Sequence, residues 1–148
     1  MLYGHTAQDT RQVFFTSWDK YNQKMPLQPL EMQVVHVILL HSEYHALLTT
    51  QDNQSTYFPE LGQTNPYLHM GLHLTIRDQI ATDRPAGITH VFQELLKKYG
   101  DDHTVEHLIM EPLAECLWHA QRHQCAPNEQ SYLAACRQLI QGFSDSLE

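Results

Sequence analysis

The stretch TNPYLHMGLHLTIRDQIA, residues 64–81, combines a clear helix start with an informative pair of histidines. The side chain of Asn65 can cap a helix, and Pro66 then occupies the first helical position, where proline is favoured. His69 and His73 are four residues apart, so they lie on one face of the helix, on an otherwise apolar stripe. The stretch therefore predicts a helix that directs two imidazoles into a core.

The rest of the chain shows the same helical periodicity. Apolar residues recur at intervals of three and four, no alternating strand pattern competes, and proline, glycine and capping residues separate the segments. The chain is therefore predicted to be all-α, a single-domain helical bundle of about five to six helices over residues 1–148. Thr6 is the predicted cap of the first helix, and the predicted helices cover about residues 6–21, 29–49, 66–81, 88–99, 102–123 and 129–142.

Charge and cysteine content exclude several classes of protein. Acidic residues number 17 against nine lysines and arginines, and Lys97-Lys98 is the only adjacent basic pair. Nucleic acids and anionic membranes require a concentrated basic face, so neither is a predicted partner. The longest apolar run, residues 34–40, is too short to span a bilayer. Three cysteines without a CxxC motif favour reduced thiols and a cytoplasmic location.

Histidine is the residue that points to chemistry. The chain has eleven histidines, and besides His119/His123 three pairs stand at i, i+4, where both rings can reach one metal ion. Each pair is predicted to interrupt an apolar stripe that faces the core. Buried polar groups are costly unless they find partners, and a metal ion satisfies several ring nitrogens at once. The pairs are His41/His45, His69/His73 and His103/His107.

These pairs predict a buried metal site. A set of histidines with one carboxylate suits zinc, iron or manganese, and Glu111 lies one turn beyond His107. Tyr44 and Tyr67 neighbour the pairs, but core aromatics are the commoner explanation for them. The predicted ligands are His69, His73 and His107, followed by His45, His103 and Glu111.

Alternatives remain open at this point. The histidines can instead form a hydrogen-bonded polar network in a non-enzymatic interaction protein, or they can line a pocket for a small-molecule substrate. A homodimer is compatible with an apolar outer stripe on a helical bundle. A second thiolate-imidazole site is also conceivable, but the face that carries it is predicted to be exposed, which favours solvated side chains. Its residues are Cys116, His119, His123 and Cys125.

Several motifs, in order along the chain, resemble one family nearly end to end. They are HSEYH (41–45), GQTNPYLHMGLHL (62–74), DRPAGI (83–88), HLIME (107–111) and LWHAQR (117–122). Together they resemble the bacterial family catalogued as domain of unknown function 1841. The resemblance implies a bacterial cytoplasmic protein and supplies no activity.

Two departures from the family pattern bear on the site. The family often has proline where this chain has Ser42, which implies a break in the second helix. A break there is expected to remove His41 from the apolar stripe, so His45 is the preferred ligand of that pair. The family often has cysteine where Pro112 stands, and a proline inside the fifth predicted helix should kink it beside Glu111.

Overall fold

The structure, a computed structural model, describes residues 7–58 and 61–145. Within these ranges the chain forms seven α-helices and one 3-10 helix, and it forms no strand. The all-α prediction is confirmed, although five to six helices were expected, and the predicted cap at Thr6 lies outside the described residues. Each helix in these ranges is too short or too polar to cross a lipid bilayer. The α-helices are α1 (Ala7–Asn22), α2 (Pro29–Leu39), α3 (His45–Thr49), α4 (Pro66–Thr82), α5 (Ile88–Tyr99), α6 (Asp102–Arg122) and α7 (Glu129–Asp145).

The additional helix arises because the predicted helix over residues 29–49 is interrupted. α2 ends at Leu39, and His41 has φ −128° and ψ 67°, outside the helical region. A 3-10 turn over Ser42–Tyr44 then leads into α3. The prediction of one continuous helix over residues 29–49 was therefore wrong. Hydrophobic periodicity shows which face of a helix is apolar, but it does not show whether the backbone hydrogen bonds continue. The break implied by the family's proline at position 42 is confirmed.

The described chain divides into two compact units, one ending at Leu74 and the other beginning at Thr75. In the first unit, α1 contacts both α2 and α3. Its core combines the aromatic face of α1 with aliphatic residues of α2 and the first half of α4. The single-domain assignment stays a prediction. The core residues of this unit are Phe14, Phe15, Trp18, Val34, Val37, Ile38, Leu48, Tyr67, Met70 and Leu74.

A buried arginine joins the loop after α3 to this core. Arg11 is 7% exposed, and its Nη2 donates a hydrogen bond to the Ser55 carbonyl at 2.7 Å. Its guanidinium carbon lies 4.5 Å from the centre of the Tyr67 ring, a cation–π contact. The Tyr67 hydroxyl donates to the Asp52 carbonyl at 2.7 Å, and burial raises the pKa of Tyr67 to about 12. Tyr67 is therefore a core aromatic that fixes the first turn of α4, two residues before His69.

In the second unit, α5, α6 and α7 all contact one another. α6 buries Val105, Ile109 and Leu113, which recur every four residues and therefore share one face. α5 and α7 contribute the other buried apolar side chains of this three-helix arrangement, including Ile88, Val91, Phe92, Leu95, Tyr132, Leu133 and Cys136.

The predicted core stripe of α6 was wrong. His107 and Glu111 are exposed, and so is Trp118, at 55%. Each of the two polar residues stands two positions from a buried one, which is about 200° around the helix. The buried face of α6 is therefore the one that carries Val105, Ile109 and Leu113. α6 continues through Pro112, and a kink there stays a prediction.

A buried ion pair lies in the second unit. Glu106 is 4% exposed, and its two carboxylate oxygens accept hydrogen bonds from the Nε of Arg77 at 3.3 and 3.2 Å. Neither residue was predicted from the sequence to be buried. A glutamate between Val105 and Ile109 gives no signal of burial until its partner is known.

Asp83 organises the start of α5 and makes it sensitive to acid. Its Oδ1 accepts hydrogen bonds from the amides of Thr89 and Gly87, each at 3.1 Å. The bond from Thr89 is the main reason that the pKa of Asp83 lies below its usual value. Because the folded-state pKa is lowered, the ionised carboxylate stabilises the fold above the unfolded-state pKa. That contribution is lost as the pH falls through the folded-state pKa.

We therefore expect Asp83→Asn to weaken the acid dependence of stability. Urea unfolding between about pH 5 and about pH 3 should show a smaller loss of unfolding free energy in Asp83→Asn than in wild type. Asparagine keeps an acceptor oxygen but cannot titrate, so it separates the charge from the hydrogen bond. Identical pH slopes in the two proteins would contradict this assignment.

Candidate metal centre

Three histidines of the first unit meet side by side. His41 follows α2, whereas His69 and His73 stand on successive turns of α4. The three distances between ring centroids are 5.0, 4.9 and 5.0 Å, and the rings meet at steep angles of 60–79°. A nitrogen from each ring lies within 4.8 Å of the other two. We call these residues the histidine triad; His41 and His73 are buried, and His69 is half-buried.

The protonation of His41 follows from its hydrogen bond. Its Nδ1 lies 2.8 Å from the Val37 carbonyl oxygen. A carbonyl can only accept, so Nδ1 carries the hydrogen and donates. In the neutral ring, Nε2 is then the unprotonated nitrogen and carries the lone pair. Metal-binding histidines are oriented in this way, by donating the second ring nitrogen to a carbonyl or carboxylate.

The nitrogen spacing between His41 and His69 matches that of two ligands of one ion. Nε2 of His41 lies 3.2 Å from Nε2 of His69. Imidazoles bind zinc at about 2.0–2.1 Å in a tetrahedral arrangement, which places neighbouring ligand nitrogens roughly 3.3 Å apart. One proton shared between the two nitrogens would give a similar distance. The geometry is therefore suited to either a cation or a hydrogen bond between these rings.

The break after α2 is what brings His41 to α4. The carbonyls at the end of a helix lack intrahelical partners. Here two such carbonyls accept backbone amides and also side-chain bonds from the first histidine pair, because His41 bonds the Val37 carbonyl and Nε2 of His45 lies 2.8 Å from the Ile38 carbonyl. His41 and His45 thus contribute to the C-terminal cap of α2. Nε2 of His41 is left directed towards His69.

Tyr44 adds an aromatic wall to the triad. Its ring is nearly parallel to that of His41, with 5.5 Å between centroids and 5° between planes, and it meets His69 edge-on at 6.3 Å. Tyr44 is half-buried, and burial raises the pKa of its hydroxyl. The residue therefore remains a neutral phenol beside the imidazoles.

Comparison with known proteins places the chain in a family. A family model described as a domain of unknown function, DUF1841, matches residues 6–138. The chain belongs to the DUF1841 family. This confirms the resemblance seen in the motifs, and the matched residues include the whole triad. No curated protein and no solved structure matches this DUF1841 chain, so family membership assigns no activity.

The structure brings two of the predicted ligands of this DUF1841 member together with a third that was not preferred. His69 and His73 belong to the triad, and His41 joins them in place of His45. The ring of His45 instead packs 4.6 Å from that of Trp18 and bonds the end of α2. The helix break was expected to take His41 off the apolar stripe of the second helix, and in the structure the break turns His41 towards α4.

The remaining predicted ligands lie in the second unit. The rings of His103 and His107 are 4.2 Å apart, as expected for residues one turn apart on α6. His103 is half-buried, whereas His107 and Glu111 are exposed. The role of these three residues as metal ligands stays a prediction.

The thiolate-imidazole site considered on α6 is not formed in the described part of this DUF1841 chain. Cys116, His119, His123 and Cys125 do not provide three side chains close enough for one ion. His119 and His123 are exposed with rings 4.4 Å apart, and Cys116 donates weakly to the Asn128 carbonyl at 3.7 Å.

Proposed function

We propose that this protein binds one divalent transition-metal ion through the histidine triad. The observation that carries the proposal is the pair of Nε2 atoms 3.2 Å apart, one of which belongs to a ring whose other nitrogen donates to the Val37 carbonyl. His73, which is fully buried, adds a third imidazole whose ring centroid lies 4.9 and 5.0 Å from those of His41 and His69. Three buried or half-buried imidazoles that converge in this way are the donor set of a metal site.

Zinc is the ion that this donor set favours. The triad offers three neutral imidazoles and contains no carboxylate, whereas iron and manganese sites more often include carboxylate ligands. A three-histidine zinc site keeps a fourth position for water and supplies Lewis-acid chemistry when the ion is bound. Elemental analysis should also include iron and manganese.

The competing proposal is a structural polar network. In that case His69 donates a hydrogen bond to Nε2 of His41, the triad holds no ion, and the protein acts through its surface as a non-enzymatic interaction protein. Its support is the same 3.2 Å contact, since an N–H···N bond has nearly that length. A measurement of metal content separates the two.

The test is elemental analysis of protein without a tag, purified without immobilised metal. We expect about one zinc, iron or manganese ion per chain. Because exposed helical histidine pairs also bind metals, the measurement should be repeated in a His119→Ala/His123→Ala background, where the content should be unchanged. If the protein is metal-free and also fails to take up zinc in equilibrium dialysis, metal binding is contradicted and the structural polar network is the better explanation.

Equilibrium dialysis with zinc also tests the prediction that His107 is a ligand. If it is, His107→Ala should weaken zinc binding, while alanine at the exposed His90 of α5 should not. Equal affinities in the two variants would remove His107 from the ligand set.

A further inference from the structure

A cavity of about 420 Å³ lies between α6 and the beginning of α7, within the second unit. Small side chains create the space, because Ala120, Ala126 and Ala135 line it together with Pro112. Its volume falls in the range of about 300–1,000 Å³ that is typical of small-molecule sites. The histidine triad contributes none of the lining residues, so the cavity can be tested separately.

The polar groups of the lining divide into occupied and available ones. The Tyr132 hydroxyl donates to the side-chain oxygen of Gln79 at 2.6 Å. The Cys116 thiol is directed to the Asn128 carbonyl, and burial raises its pKa, so the thiol stays uncharged. The Glu115 carboxylate is different, because it is exposed to solvent and in the described part of the chain no lysine or arginine pairs with it.

The charges around the cavity favour a cation. Glu115 is the acidic residue of the lining, which contains no lysine or arginine. The amino end of α7 would normally attract an anion, but the Asn128 side chain already accepts the Ser131 amide at 3.0 Å. Glu129, in the first turn of α7, adds a second negative charge near Cys116 and contributes to the raised pKa of that thiol.

We propose that this cavity binds small primary amines with a flat apolar body. The site is open to solvent on one side: Ala120 and the Tyr132 ring are buried and form its apolar floor, whereas the Glu115 carboxylate is exposed and provides the partner for the ammonium group. The Ser131 hydroxyl and His119 also line the cavity and are further candidates for hydrogen bonds to it.

The test is a matched series of 2-phenylethylamine, 2-phenylethanol and 3-phenylpropanoate, measured by protein-observed NMR at about pH 8, where histidine is ordinarily neutral. The shifts should concentrate on α6 and the first turns of α7. We expect the amine to bind about five-fold more tightly than the alcohol, with the carboxylate weakest, because the ion pair with an exposed carboxylate is screened by water. In Glu115→Gln, the amine and the alcohol should bind within about two-fold of each other.

Two neighbouring alanines on α7 supply a steric control. Ala135→Leu should fill the cavity and abolish binding of the amine and the alcohol, whereas Ala134→Leu, beside it but outside the lining, should leave both unchanged. Equal binding of all three probes by wild type, or no binding of the amine, would overturn the proposal. The proposal would also be overturned if Glu115→Gln kept the wild-type preference for the amine over the alcohol. This comparison does not depend on whether Ala135→Leu folds.

Discussion

Alanine at position 73 is expected to eliminate stoichiometric metal binding. His73 is fully buried, and its ring lies 4.9 and 5.0 Å from those of His41 and His69. Removal of one of three imidazoles leaves two ligands, which is fewer than any structural or catalytic zinc site of ordinary affinity uses. Elemental analysis should therefore fall from about one ion per chain to the background level.

Stability provides an independent reading of the same site. An ion that binds only the folded state stabilises it by RT ln(1 + [L]/Kd), about 4 kcal/mol at a free concentration 1,000 times Kd. Wild-type protein should therefore unfold at a higher urea concentration with excess zinc than with a chelator. In His73→Ala, the two unfolding curves should coincide.

Two further variants protect this test from misfolding of His73→Ala. His69 is half-buried, so His69→Ala disturbs the core less and should still remove the zinc-dependent stabilisation. His90→Ala, at an exposed position of α5, is the control and should keep both metal content and stabilisation. If wild type and all three variants unfold alike with and without zinc, the triad is a hydrogen-bonded network.

The second large effect is expected at the buried ion pair of the second unit. Arg77→Met leaves the Glu106 carboxylate, which is 4% exposed, without the Nε that it bonds at 3.2 and 3.3 Å. Breaking a buried pair from one side costs about 3–5 kcal/mol, because the carboxylate then stays in the interior without its cationic partner. Urea unfolding of Arg77→Met should show a loss of this size relative to wild type.

The double variant distinguishes charge from packing. Arg77→Met/Glu106→Leu removes both charges and keeps much of the volume, so it should recover most of the stability lost in the single variant. The exposed pair of Lys97 and Glu94, with 3.2 Å between Nζ and Oε1, is the matched control. Lys97→Met should change the unfolding free energy by about 0.5 kcal/mol or less. A similarly small effect of Arg77→Met would contradict the importance of the buried pair.

The helices themselves were largely predictable from the sequence. Pro66 and the preceding asparagine defined the start of α4, and the four-residue spacing placed His69 and His73 on one face of it. Such signals are local, since capping and helical periodicity depend on residues within a turn or two. The buried face of α6 was less predictable, because it carries Val105, Ile109 and Leu113, while His107 and Glu111 are exposed.

Sequence alone determined that the chain is helical and that α4 carries two inward imidazoles, because these features follow from interactions between residues no more than four positions apart. Only the tertiary structure decided which third histidine meets them. His41 reaches α4 because α2 stops at Leu39 and its final carbonyls take side-chain donors. The pairing of Arg77 with Glu106 and the cavity beside Glu115 likewise depend on packing between separate helices, which no local pattern encodes.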